Sequence, residues 1–241
     1  MDNIVLHKAA TRGHANHGWL DTYHYFSFAN YYQPDRVHFG ALRVINDDLV
    51  KGGYGFGKHP HDNMEIITIV LEGALEHQDS MGHTQSIHPN EVQVMSAGTG
   101  IFHSEYNHNK NQDVKLFQIW IFPETHNVTP RYEQTVFDAN QRINALQTLV
   151  SPMGHPDKGL KIHQQAWIHR ITLEADNVIN IPLHSTNHGL YILMADGTAT
   201  ANGQALHKRD GMGIWAVNEV QISANSTADI ILLEVPMLLP H

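Results

Sequence analysis

Two short stretches of this 241-residue chain each set a pair of metal-capable side chains two residues apart. "GKHPHDNME" (residues 57–65) carries His59 and His61, and "GTGIFHSEY" (residues 98–106) carries His103 and Glu105. Imidazole nitrogens and a carboxylate oxygen suit Fe(II), Mn(II), Ni(II), Cu(II) or Zn(II), and four such donors leave an octahedral ion open to water, substrate or dioxygen. With 20 histidines in the chain, roughly two His-x-His pairs arise by chance. "HPH" alone therefore reads first as a surface turn. The second pair, beside its own glycine-rich turn and in a strand-rich context, shifts the reading to a metal centre.

Geometry supports that shift. Pro60 fixes its own φ and biases His59 toward extended backbone, so His59 and His61 project from one face of a strand. His103 and Glu105 have the same spacing, and two such pairs on neighbouring strands can converge on one ion.

The surrounding sequence supplies the strands. Between residues 66 and 121, short apolar segments ("IITIVL", "VQVMS", "KLFQIWIF") alternate with turn residues, the rhythm of an antiparallel sandwich or barrel. From residue 123 to about 159 the pattern loosens into a connection with one helical turn, a plausible domain junction. Strands then resume, with Asp196-Gly197 and Asn202-Gly203 as turn dipeptides. The two halves read as two copies of one β architecture.

Bulk composition narrows the function. The chain has no cysteine, which excludes disulfides, thiolate zinc sites and cysteine nucleophiles and leaves any metal to imidazole and carboxylate. A net charge of −9 opposes phosphate-driven binding, so no direct nucleic-acid contact is expected. The first 20 residues lack an apolar signal core and no apolar run approaches a membrane span, so a soluble, cytoplasmic protein is expected.

At this point the residues carry a resemblance. "GKHPHDNMEIITIVLEG" resembles the first cupin motif, Gly-x5-His-x-His-x3-Glu, with Gly53 leading, and "NEVQVMSAGTGIFHSE" is similar to the second. Ser96 stands where proline is usual, and the histidine falls two residues late. These departures, with "HSE", are features of the pirin family. "RGHANHGWLDTYHYFSFANYY", "LEGALEHQDSMG", "SAGTGIFHSEYN" and "QIWIFPETHNVTPRYEQ" resemble bacterial pirin-like quercetin 2,3-dioxygenases, densely from about residue 12 to 138 and diffusely beyond.

The resemblance implies an all-β bicupin of two tandem cupin-type β-barrels, with an N-terminal metal-binding domain over 1–130 and a degenerate cupin over 131–241. It implies one divalent transition metal per chain, held by His59, His61, His103 and Glu105. Fe(II) is the foremost candidate; Cu, Ni, Mn, Co and Zn are compatible. Glu65 matches the motif-1 carboxylate of cupins and is left as an outer partner, because pirins take their carboxylate from "HSE".

The implied reaction is dioxygenation of a flavonol such as quercetin, opening its heterocycle and releasing carbon monoxide. A Lewis-acidic metal would ease loss of the 3-hydroxyl proton, which Glu105 is expected to accept as the catalytic base. The partners are thus a flavonoid or phenolic substrate and dioxygen. The alternative is a non-enzymatic, pirin-type metal or redox-sensing regulator that binds a protein partner; both readings use the same four ligands.

Other histidines read as structural. His163, His169, His184 and His188 lack a His-x-His pair and an adjacent carboxylate, and His77, His83 and His88 read as a solvent-facing sheet edge. The "RGHANHGW" segment reads as a lid or a packing arm, and "FSFANYY" as barrel wall, with a substrate-facing ring the lesser reading.

Overall fold

The computed structural model describes residues 3–239. Strands make up nearly all of its regular structure, joined by two short 3-10 turns, Ala9–Thr11 and Ala139–Arg142. The first half runs β1 (Asn3–His7), β2 (Gly13–Asn16), β3 (Leu20–His24), β4 (Leu42–Val50), β5 (Gly55–His61), β6 (Glu65–Glu72), β7 (Leu75–Asp79), β8 (Thr84–Ile87), β9 (Glu91–Ser96), β10 (Ile101–Asn107), β11 (Val114–Ile121) and β12 (Arg131–Val136). The second half runs β13 (Gln147–Pro152), β14 (Leu160–Ile162), β15 (Trp167–Leu173), β16 (Val178–Pro182), β17 (His188–Asp196), β18 (Thr198–Ala201), β19 (Gln204–His207), β20 (Gly211–Trp215), β21 (Glu219–Ala224) and β22 (Ala228–Pro236).

Each half pairs a seven-stranded sheet with a four-stranded one. The N-terminal sheets are β12-β9-β6-β11-β4-β3-β2 and β5-β10-β7-β8; the C-terminal sheets are β1-β20-β17-β22-β15-β13-β14 and β16-β21-β18-β19. This is the expected all-β bicupin. One strand, β1, crosses from the first half to the second. β1 adds to β20, from Asn3 opposite Trp215 to His7 opposite Gly211, and β12 adds to β9. Each added strand covers a sheet edge that would otherwise expose unpaired backbone groups.

The apolar runs follow from burial on both faces. In β6 ("EIITIVLE"), Ile67 and Ile69 join a core shared by the two barrels, while Ile66, Thr68 and Val70 face the N-terminal barrel interior. A strand buried on both faces reads as a continuous apolar run rather than an alternating one. β11 repeats the arrangement, with Phe117, Ile119 and Ile121 in the shared core and Gln118 and Trp120 turned inward. The helical turn expected in the junction is Ala139–Arg142, whose N-cap Asp138 accepts from the Asn140 amide. Asn202 and Gly203, both at positive φ, make the tight turn between β18 and β19 that the dipeptide called for.

The two barrel interiors differ. The C-terminal one is filled by aliphatic side chains, among them Leu190, Ile192, Met212, Ile222 and Leu232, all fully buried. The N-terminal one is lined on its seven-stranded side by polar Asn46, Asp48, Thr68 and Gln118.

Candidate metal centre and its cleft

β5 and β10 place His59 and His103 directly opposite each other, with Ile101 opposite His61. Between the His103–His59 and Glu105–Phe56 pairs β5 carries one extra residue, while β10 stays in regular register with β7 and so keeps His103 and Glu105 on one face. The strands pass closely here, for a Cβ on Gly55 would lie 2.3 Å from the Glu105 carbonyl oxygen. Only glycine fits. Pro60 is tolerated because β5 is an edge strand.

The three histidines converge. Their ring centroids are 4.4 to 4.8 Å apart, and His103 Nε2 lies 3.0 Å from His59 Nε2. One donor nitrogen from each falls within 4.8 Å of the other two. His59 Nδ1 donates to the Gly57 carbonyl at 2.8 Å, which leaves its Nε2 lone pair directed at the cluster. His61 Nε2 is buried without a hydrogen-bond partner. Burial, then the neighbouring imidazoles, push His61 down to about 4 and His103 down to about 2, so both present neutral, ligand-ready rings.

Glu105 is 2% exposed, with Oε2 accepting from Gln118 Nε2 at 2.8 Å and Oε1 buried and unpartnered. Gln118 comes from the opposite sheet and is itself held by Thr68 at 2.9 Å. Burial, then the nearby Asp48 charge, push Glu105 up to about 7. Its donor oxygen lies within 4.8 Å of His103 and of a residue sequence reasoning placed at a solvent edge, His77. That placement was wrong. His77 is fully buried, because Leu75, His77 and Asp79 share the inward face of β7.

His77 forms the outer support of His103. Its Nε2 donates to Asp79 Oδ2 at 3.2 Å, leaving Nδ1 to accept from His103 Nδ1 at 3.5 Å. His103 Nε2 is thereby free to face His59. Asp79 also takes His83 Nδ1 at 2.9 Å, and Tyr132 stacks on His77 and His83. Glu65 stands apart from this network, accepting from Ser96 Oγ at 2.7 Å. The serine that replaces the usual proline thus satisfies a buried carboxylate.

A cavity of about 250 Å³ opens from the cluster, walled by Phe28, Phe56 and Trp120 with Asn46 and Asp48 on its polar side. Phe28, Phe56, Asn46 and Asp48 also line an adjoining chamber of about 350 Å³ that reaches His14, His17, His24 and Tyr31. So the "FSFANYY" run does supply a cavity-facing ring, Phe28, beside the core residue Phe26. Arg12, in contrast, packs between barrels on Asp47 at 2.8 Å. A larger open groove of about 850 Å³ beside β12 holds none of the candidate ligands.

His61 Nε2 and Glu105 Oε1 are buried without protein partners and two imidazole nitrogens face each other nearby, a donor set that fits a transition metal. One consequence concerns protons. A carboxylate raised to about 7 must give up its proton to bind metal below that pH. Calorimetric titration of wild type with Zn(II) at about pH 6 should release up to about one proton more than Glu105→Gln, and the difference should vanish at about pH 8.5. Equal release at both pH values would remove Glu105 from the ligand set.

In the C-terminal barrel, His184 and His188 both donate through Nδ1 to buried Glu234 at 2.8 Å, and His184 stacks on Trp167 at 3.8 Å. His169 is buried against Thr148. These histidines are engaged in packing and hydrogen bonds, in line with the structural reading.

Two fused cupin-type barrels, with clustered imidazoles in the first and an aliphatic filling in the second, define the class as bicupin. The chain belongs to the pirin family. Residues 5–121 match the Pirin family and residues 148–235 the quercetinase C-terminal cupin domain. It is 47% identical to a quercetin 2,3-dioxygenase of Escherichia coli strain K12, over 97% of this chain and 99% of that one. It is 39% identical to a pirin-like protein of Caulobacter vibrioides, over 92% and 95% respectively. Among solved structures it resembles the bacterial pirin YhhW from Escherichia coli in complex with nickel(II), with a TM-score of 0.92, 45% identity, and coverage of 98% of this chain and 100% of that one. No helix among the described residues is long and apolar enough to cross a membrane.

Proposed function

We propose that this protein is a metal-dependent dioxygenase that opens the heterocyclic ring of a flavonol such as quercetin with dioxygen, releasing carbon monoxide. His59, His61, His103 and Glu105 would hold one divalent transition metal, with Fe(II) the foremost candidate. The observation that supports this reading is the convergence of three imidazoles at the inner end of an aromatic-walled cleft that Glu105 also lines, its carboxylate within 4.8 Å of a His103 nitrogen and with one oxygen unpartnered. Likeness to proteins named quercetin 2,3-dioxygenase supports the choice of substrate.

When bound, the metal supplies a Lewis acid for the flavonol 3-hydroxyl oxygen. The chain's own residues do the rest. Phe28, Phe56 and Trp120 receive a flat aromatic molecule and exclude water from the reacting end. Gln118, braced by Thr68, fixes one Glu105 oxygen and leaves the other facing the site. That oxygen would turn from the ion to take the proton as the 3-hydroxyl ionises. Loss of the proton makes the flavonol electron-rich enough to react with dioxygen.

The test is aerobic bleaching of quercetin by protein loaded separately with Fe(II), Mn(II), Co(II), Ni(II), Cu(II) and Zn(II). Metal-dependent loss of the flavonol absorbance is expected with at least one redox-active ion. No turnover with any of them would leave the regulatory reading in its place.

A further inference from the structure

Asp47 and Asp48 are neighbours on β4 and point to opposite faces. Asp47 is paired twice, with Arg12 at 2.8 Å and Arg209 at 3.2 Å. Asp48 turns inward, is 5% exposed, and leaves Oδ1 buried with no hydrogen-bond partner. The Thr22 hydroxyl nearby is likewise without a partner of ordinary geometry. Burial, then the adjacent Asp47 charge, hold the Asp48 carboxyl up at about 7, with Thr22 acting in the opposite direction.

An unpaired buried carboxylate weakens a fold, and such a group persists where it has a ligand to meet. Its position says where that ligand lies. Asp48 lines both the 250 Å³ chamber that holds the imidazoles and the 350 Å³ chamber beyond, at the waist where Phe28 and Phe56 face the opening. A two-part planar molecule, with one ring system in each chamber, would pass its edge across this carboxylate.

We propose that Asp48 is a substrate-contacting, specificity-determining residue. It accepts a hydrogen bond from a phenolic hydroxyl other than the one that meets the metal, so the cleft selects polyhydroxylated planar aromatics over analogues lacking that hydroxyl. A site with a buried acceptor rejects a ligand that cannot donate to it, because the acceptor is then desolvated and unpaired. The same negative charge disfavours aromatic carboxylates. This inference rests on the proposed flavonol reading and names the substrate feature that reading leaves open.

The experiment is anaerobic isothermal titration of metal-loaded protein, so that binding is read without turnover, using quercetin and 3-hydroxyflavone as probes. The second keeps the 3-hydroxyl and lacks all others. Wild type is expected to bind quercetin at least about 10-fold more tightly. Asp48→Asn, which keeps the shape and removes the charge, should weaken quercetin by about 10-fold, and Asp48→Leu by about 100-fold, with 3-hydroxyflavone changed by less than about 3-fold. Metal content should stay at the wild-type level, and each ligand-free variant should melt no lower than wild type, since the change removes an unpaired buried charge. Equal weakening of both probes, or none of either, would overturn the role of Asp48 while leaving flavonol binding intact. If wild type binds neither probe, the flavonol reading falls and Asp48 falls with it.

Discussion

Glu105→Gln keeps much of its metal and loses quercetin turnover by ~10²- to 10⁴-fold, the range typical of removing a general base. Glutamine preserves the side-chain length, and its amide oxygen can still approach a metal held by His59, His61 and His103. The single amide oxygen serves one role at a time, facing the metal or accepting from Gln118 Nε2, so the three imidazoles carry most of the metal retention. What it cannot do is take a proton from the flavonol 3-hydroxyl. Metal occupancy and rate should therefore part company. The readout is turnover normalised to bound metal: a per-metal rate equal to wild type would make Glu105 a ligand and nothing more.

His59→Ala, His61→Ala and His103→Ala each abolish tight metal binding while the protein stays folded. The fold does not depend on these rings, because the shared core and the remaining barrel packing are aliphatic and aromatic. Loss of an outer partner costs ~10- to 100-fold in metal affinity, and loss of a ligand itself should cost more. His77→Ala serves as the graded control. It removes the acceptor for His103 Nδ1 without removing a proposed ligand, so its loss should fall in the ~10- to 100-fold range. Elemental analysis after gel filtration, alongside thermal melting, reads both quantities. Stoichiometric metal in all three alanine variants would show that the ion sits elsewhere.

Much of this was written in local pattern. The i, i+2 spacing of "HPH" and "HSE" needs only the two-residue period of a strand to put both pairs on one face, and the structure brings the imidazoles together as that period requires. The apolar runs between turn residues likewise announced the sheets. What remained hidden depends on which strands meet. Nothing in "LEHQD" tells whether His77 or Glu76 turns inward, and that question is decided when β7 pairs with β10 and places His77 opposite Glu105. "RVINDDLV" offers two adjacent acids of identical type; only the facing of β4 pairs Asp47 with arginines and leaves Asp48 in the cleft. Gln118, in the apolar-looking "KLFQIWIF", becomes a site residue only because it reaches across the barrel to Glu105. The crossing of β1 to β20 is a matter of edge pairing between distant segments, which local propensity does not encode.

The most direct measurement of the central proposal is the gas stoichiometry of quercetin turnover by protein loaded with a single defined metal, with dioxygen uptake and carbon monoxide release recorded together. The proposal predicts about one dioxygen consumed and about one carbon monoxide released per quercetin lost, both abolished in His103→Ala. Quercetin loss without carbon monoxide, or the same rate in protein stripped of metal, would contradict it.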